Sequence, residues 1–360
     1  MSSTLKLHSL ILFTLLLIGY LLVFSENSLA HVMWFASEEE TPLTYYTFSN
    51  PEVVIFMTVA VIVVLISIFL EYYLPTVILV GEVGEKIVFT IFSILVGISL
   101  LASSHNNVII AHHYHVADNF TILLQYLAAG IGALLIFQRF IFAAAILLLL
   151  LYLGMEYSFG VVESCDYINF VGIALFLMFN SLPYNCCQRN LQPYALFFLR
   201  VFTGAALIFL AMSEKLLRPE WGMAFLKEYH WNFMAHMGFN YPDSLFVLSA
   251  GFVELTLGII FIIGTVTRIN TLVLASLMVT SNIMFLLEKN YSNALIEIIG
   301  HLPIFATAIV LITLGTGHQF SSQFEIGYKR SYGKNTAKWI DILTARIKRN
   351  TPYTTKLRFQ

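Results

Sequence analysis

Long apolar runs separated by short polar segments dominate the pattern along the chain. A helix needs about 20 mostly apolar residues to cross the hydrocarbon core of a bilayer, and runs of that length predict ten membrane-spanning helices. They cover residues 9–25, 53–74, 87–104, 120–137, 140–157, 168–182, 194–213, 244–266, 270–287 and 296–315. The runs lack the alternation of a membrane barrel, so the predicted fold is an all-α polytopic transmembrane bundle of nine or ten spans.

Basic residues predict the orientation of these spans, because Lys and Arg collect in cytoplasmic loops. Lys86, Arg139, Arg189 and Arg268 fall in every second loop, and further Lys and Arg residues crowd the tail after Gly317. The intervening loops, such as 105–120 and 157–167, carry none, although Arg218 and Lys227 lie on the predicted outer side. The carboxyl end is therefore predicted to lie in the cytoplasm.

The first apolar run has the features of a signal sequence. A basic residue precedes it, and Ser28-Leu29-Ala30 follows it and suits a cut before His31. The sequence favours cleavage there, and an uncleaved signal anchor is the alternative. Both give the same topology for the later spans.

Composition narrows the class of protein further. Hydrophobic residues make up 58% of the chain and charged ones 11%, with a formal net charge of −2, whereas soluble domains carry about 25% charged residues. The bilayer is therefore the predicted partner, and no basic field exists to hold nucleic acid. The three cysteines are too few for a disulfide scaffold.

Two segments of four spans each begin on the same predicted side, which suggests a parallel internal repeat. In each segment an arginine lies between the second and third spans, and a glutamate ends the third. The alternative is that any two apolar runs look alike. The predicted organisation is a signal segment 1–30, an outer segment 31–52, a single span with its loop 53–85, repeat A 86–182, repeat B 183–315 and a basic tail 316–360.

Repeat B carries four local motifs. They are Arg200-Val201-Phe202-Thr203-Gly204, the segment from Ser213 to Pro219, Ala250-Gly251-Phe252-Val253-Glu254, and Gly264-Thr265-Val266-Thr267-Arg268. As a set, over residues 195–315, they resemble the DoxX family of four-helix membrane proteins. Repeat A fits the pattern poorly, with Gly132-Ala133 or nearby residues where Glu254 would align. The family includes the membrane subunit of a thiosulfate:quinone oxidoreductase, so the resemblance implies a membrane subunit or partner of a quinone-linked redox system.

Ionisable residues inside spans are candidates for function, because burying charge in a bilayer is costly. Arg200 and Glu254 lie within spans, while Glu297 and His301 are four residues apart and share a helix face. We expect these four to carry any catalytic or proton-transferring role. The alternatives are a snorkelling arginine and hydrogen bonds that merely join helices.

The aromatic loop between the seventh and eighth spans offers a second kind of site. Trp221 and Trp231 could roof an opening for a quinone, or belong to an aromatic belt at the membrane surface. No Cys-x-x-Cys pair, haem-attachment motif or phosphate-binding loop occurs, so electron carriers would sit on a soluble or membrane partner.

Histidines on the predicted outer side suggest a metal site. His112, His113 and His115 lie within one loop, and cleavage before His31 would leave an amino-terminal chelating pair. Imidazole suits copper and zinc, so a metal-binding protein or transporter is the second hypothesis, with a hydrated polar loop as its alternative. A non-catalytic assembly factor is the third, and whether the chain is an enzyme stays open.

Overall fold

The computed structural model describes residues 35, 46–74, 79, 81–182 and 186–316. The predicted signal segment, His31 and the basic tail lie outside these residues. Within them the chain forms helices and contains no β-strand. The helices are α1 (Pro51–Tyr73), α2 (Glu82–His105), α3 (Asn119–Ile136), α4 (Ile141–Phe159), α5 (Val161–Ser164), α6 (Asn169–Ser181), α7 (Cys186–Ala211), α8 (Pro219–Tyr229), α9 (Phe233–His236), α10 (Asp243–Ile263), α11 (Thr267–Leu287) and α12 (Tyr291–Leu314).

Eight of the ten predicted spans coincide with long helices. The first lies outside the described residues, and the span 168–182 coincides with the short helix α6. Eight of these helices are long and apolar enough to cross a membrane singly. The ninth candidate is a bent pair, in which Val161–Tyr167 and Asn169–Ser181 meet at 57°. Alone, α6 has 13 residues and is too short to span. The prediction of an all-α multi-pass membrane bundle is confirmed.

Eight helices form a closed ring. Each of α2, α3, α4, α6, α7, α10, α11 and α12 contacts the next in that order, and α12 packs against α2. The first four belong to predicted repeat A and the last four to repeat B. The two halves therefore meet twice, at α6–α7 and at α12–α2, as two copies related by a pseudo-two-fold axis would.

Paired glycines bring the first two helices of each half into backbone contact. In repeat A, a Cβ on Gly97 or Gly132 would lie 2.7 Å from the carbonyl oxygen of the other residue. In repeat B, Gly204 and Gly258 face each other in the same way, at 2.6 and 2.7 Å. Small residues permit such close crossings in membranes, where van der Waals packing drives helix association.

The turn that follows the second helix also repeats. Gln138 and Phe140 in repeat A have φ values of 55° and 51°, and Gly264 and Val266 in repeat B have 86° and 38°. Gln138 and Phe140 follow Gly132 by the same numbers of residues as Gly264 and Val266 follow Gly258. This alignment places Ala128, rather than Gly132-Ala133, opposite Glu254.

Helix α1 lies outside the ring and packs against α10. Most of its apolar side chains are exposed, as expected for a lipid-facing helix. Polar contacts hold its carboxyl-terminal half to the turn before α11. Ser67 Oγ lies 2.7 Å from Thr265 Oγ1, and Glu71 accepts a 2.7 Å hydrogen bond from the Val266 amide.

The glycine crossing predicts a position-specific effect within α3. Gly132→Ala places a methyl group against the Gly97 carbonyl, and we expect it to lower the free energy of unfolding by about 1–3 kcal/mol, as overpacking does. Gly130→Ala is the matched control, because a Cβ there meets no atom within 4 Å. Unfolding in mixed micelles measures both, and equal stability of the two variants would contradict the crossing.

Candidate functional site: intramembrane ionisable groups

Arg200 is buried and serves as a cap for a neighbouring helix. The residue is 1% exposed, and its Nη1 donates a 2.8 Å hydrogen bond to the Phe261 carbonyl. Phe261 lies in the last turn of α10, where carbonyls lack partners within the helix. The guanidinium carbon also lies 5.8 Å from the centre of the Phe197 ring. The side chain therefore does not snorkel to water, and its contacts assign it a structural role.

A glycine makes room for this arginine. Gly264 has a φ of +86°, in the left-handed region, and a Cβ there would lie 1.5 Å from Arg200 Nη1. Arg268 repeats the arrangement on α12, where it donates to the Ile312 carbonyl at 2.8 Å and the Thr313 carbonyl at 3.2 Å. Arg200 and Arg268 thus donate hydrogen bonds to carbonyls at helix ends, and Gly264 leaves room for Arg200.

Glu254 forms an ion pair that the sequence reasoning missed. Its Oε2 lies 2.9 Å from Lys215 Nζ, which also lies 3.3 Å from Glu214 Oε2. We call Glu214, Lys215 and Glu254 the Lys215 triad. Glu214 and Lys215 belong to a π-helical turn, Met212–Leu216, at the end of α7. Such turns occur frequently at functional sites. The triad gives Glu254 a cationic partner. The motif Ser213-Glu214-Lys215 in repeat B could have suggested this partner.

Glu297 and His301 lie together on α12, as their spacing predicts. His301 Nδ1 is 3.6 Å from Glu297 Oε1, and Ser281 of α11 donates a hydrogen bond to the same oxygen. Both residues are buried. At 3.6 Å the two groups lie beyond hydrogen-bond distance, so passing a proton between them needs a closer approach or one bridging water.

A helix irregularity lies beside this pair. Pro303 stands inside α12 and has no amide hydrogen, so the Ile299 carbonyl loses its usual partner. Ser99 of α2 replaces it with a 2.8 Å hydrogen bond. The proline thereby joins α12 to α2, where the two halves of the ring meet.

Glu254 and the Glu297–His301 pair make separate contacts in the structure. No hydrogen bond or ion pair between described residues connects Glu254 to the other two. Two cavities, of about 260 and 20 Å³, lie near the 106–118 loop, and neither is lined by Glu254 or His301. The structure instead forms two separate ionisable clusters.

Trp221 and Trp231, the tryptophans predicted to cover a quinone opening, pack within the protein. Trp221 is buried on α8. Trp231 donates to Glu288, and its ring centre lies 4.6 Å from Phe285 and 5.1 Å from Phe225. These contacts place Trp231 in an aromatic cluster with Phe225 and Phe285. Quinone binding at the two tryptophans stays a prediction.

The histidine loop does not form the predicted metal site. His112 and His115 have ring centres 5.6 Å apart, but His113 packs against Tyr114 at 4.0 Å and Tyr167 at 5.6 Å. Over the described ranges, no three His, Cys, Asp or Glu side chains are placed to hold a metal ion. The ring of His113 packs against Tyr114 and Tyr167 instead of joining His112 and His115 in a metal site.

The fold and these clusters define the class as a multi-pass membrane protein with ionisable groups inside its helical ring. Comparison with protein-family models, curated proteins and solved structures gives no match. The resemblance to the DoxX family therefore stays a prediction that rests on the repeat B motifs.

His113 predicts a pH dependence of stability. Burial, with the charges of His112 and His115, lowers the pKa of His113 to about 3, against about 6.5 in an unfolded chain. Between these values the unfolded state binds more protons, so acidification from pH 6.5 lowers stability, by at most about 1.4 kcal/mol per pH unit for this residue. Unfolding at pH 7 and pH 5 measures the effect.

We expect His113→Gln to reduce that loss on acidification, since the variant cannot titrate. His105→Gln, at an exposed position, is the matched control and should keep the wild-type pH dependence. Identical pH profiles for His113→Gln and the wild type would exclude the buried imidazole as the cause.

Proposed function

We propose that this chain handles protons within the membrane as a subunit or partner of a quinone-linked redox system. The observation that carries the proposal is the buried Glu297–His301 pair, whose carboxylate also accepts a hydrogen bond from Ser281. Ionisable residues at such depth mark proton relays in many membrane proteins. A carboxyl and an imidazole supply an acid and a base without any cofactor.

The redox part of the proposal comes from the resemblance of repeat B to the DoxX family. The sequence offers no motif for haem, flavin or an iron–sulfur cluster, so the electron carriers belong to a partner polypeptide. In this arrangement the chain lies in a bacterial-type inner membrane. The loop 106–118 faces outward, and the tail after Gly317 faces the cytoplasm.

The closed ring supports a role for the pair in controlled rather than free proton movement. Glu297 and His301 lie on α12, which packs on α2 and α11. Protons would reach the pair through small rearrangements near Pro303, where the helix already lacks one backbone hydrogen bond. The proposed unit is therefore a gated relay.

The proposal predicts that Glu297→Gln reduces proton movement coupled to quinol oxidation. Native membrane vesicles that lack the chain are supplied with wild type or variant, and a water-soluble quinol analogue starts electron flow. We expect the number of protons moved per quinol, followed with a pH-sensitive dye, to fall because glutamine cannot carry a proton. His301→Gln should act in the same direction.

Glu52→Gln is the control, since Glu52 is exposed at the start of α1. It should match the wild type. Unchanged proton movement in Glu297→Gln, or equal movement in vesicles without the chain, would refute the proposal.

A further inference from the structure

Two irregular segments meet where repeat A contacts repeat B. The 3₁₀ turn Cys165–Tyr167 lies at the bend between α5 and α6, and it packs against α7 just before the π-helical turn. Cys165 shares a buried apolar cluster with Ile208 and Phe209 of α7. Irregular backbone inside a membrane protein is tolerated where protein buries it or where it lines a site.

Buried oxygen atoms without hydrogen-bond partners concentrate at this junction. Among the described residues, both carboxylate oxygens of Asp166, Asn169 Oδ1 and Ser213 Oγ have no such partner. The three residues are 2%, 3% and 0% exposed. Asp166 and Asn169 flank the bend, and Ser213 lies on the π-helical turn beside Glu214. Unsatisfied buried groups are rare in folded proteins, and each one calls for an explanation.

The charges nearby leave Asp166 without a counter-ion. Its carboxylate interacts electrostatically with Glu214, Glu163 and Lys215. Lys215 already pairs with Glu214 and Glu254, and no ion pair of Asp166 occurs among the described residues. An isolated buried carboxylate is strongly unfavourable. A bound cation would remove that cost and satisfy the free oxygens together.

We propose that this junction binds a monovalent metal cation of the sodium type, held by the Asp166 carboxylate with oxygens of Asn169 and Ser213. Asp166 is the one carboxylate among these three ligands, so a single positive charge neutralises the ligand set. The ligands are all hard oxygens, and none is a sulfur or imidazole group of the kind that selects transition metals. Broken helices provide sodium sites in membrane transporters by the same physical means. This site goes beyond the proposed function and does not depend on Glu297 or His301.

The test uses the full chain purified in detergent. Thermal unfolding is measured in increasing sodium chloride, with choline chloride at equal ionic strength to remove screening effects. We expect Tm to rise with sodium and not with choline, because a ligand that binds only the folded state stabilises it. Equilibrium dialysis with radioactive sodium should show saturable binding to the wild type.

Asp166→Asn should weaken sodium binding at least about tenfold, since it removes the only full charge of the site. Asp118→Asn is the matched control. Asp118 is exposed and caps α3 through the Thr121 amide, a role that asparagine also fills. Ser213→Ala removes one oxygen without changing charge and should weaken binding several-fold, which keeps the test valid if Asp166→Asn does not fold.

Each other outcome overturns the proposal. If Tm is the same in sodium and choline chloride, or if sodium binding does not saturate, no cation site exists and a proton satisfies Asp166. Stabilisation by calcium chloride without an effect of sodium chloride would exclude a monovalent ion. Unchanged sodium affinity in both Asp166→Asn and Ser213→Ala would place any site elsewhere.

Discussion

A polar group in hydrocarbon must find its partner inside the protein, and this constraint shapes the whole ring. Arg200 and Arg268 donate to carbonyls at the ends of α10 and α12. Ser99 donates to the carbonyl that Pro303 leaves open in α12. In each case a side chain from one helix completes the backbone of another. The bonds that satisfy the backbone are therefore also bonds that hold the ring together.

The same constraint separates structural charges from candidate functional ones. Arg200 and Arg268 donate to carbonyls at helix ends, and a glycine with positive φ stands beside each of them. Glu297 shares a buried site with an imidazole, and both groups can change their protonation state. Asp166 is the sharpest exception, since its oxygens have no partner among the described residues. Departures from local consistency of this kind are expected at functional sites.

Sequence was sufficient for the helices and insufficient for their contacts. Apolar runs predict spans because bilayer thickness sets helix length, and the break before α6 escapes that rule because its two parts differ in direction. The Glu297–His301 pair was predictable because both residues lie on one helix face. Arg200 and Phe261 lie 61 positions apart, so no local pattern reveals their bond. Among the described residues, His112, His113 and His115 form no three-ligand group, because spacing does not determine side-chain direction in a loop. The metal site that includes His31 stays a prediction.

Buried charges of this protein are held by specific partners, with Lys215 shared by Glu214 and Glu254. A double-mutant cycle between Lys215→Met and Glu254→Gln, followed by reversible unfolding in mixed micelles, tests it most directly. We expect a coupling energy of about 1 kcal/mol or more. Lys215→Met leaves Glu254 without its cation, and Glu254→Gln leaves Lys215 with Glu214 as its remaining ion-pair partner. Effects that add within about 0.5 kcal/mol would show that the two residues do not interact, and would contradict the account.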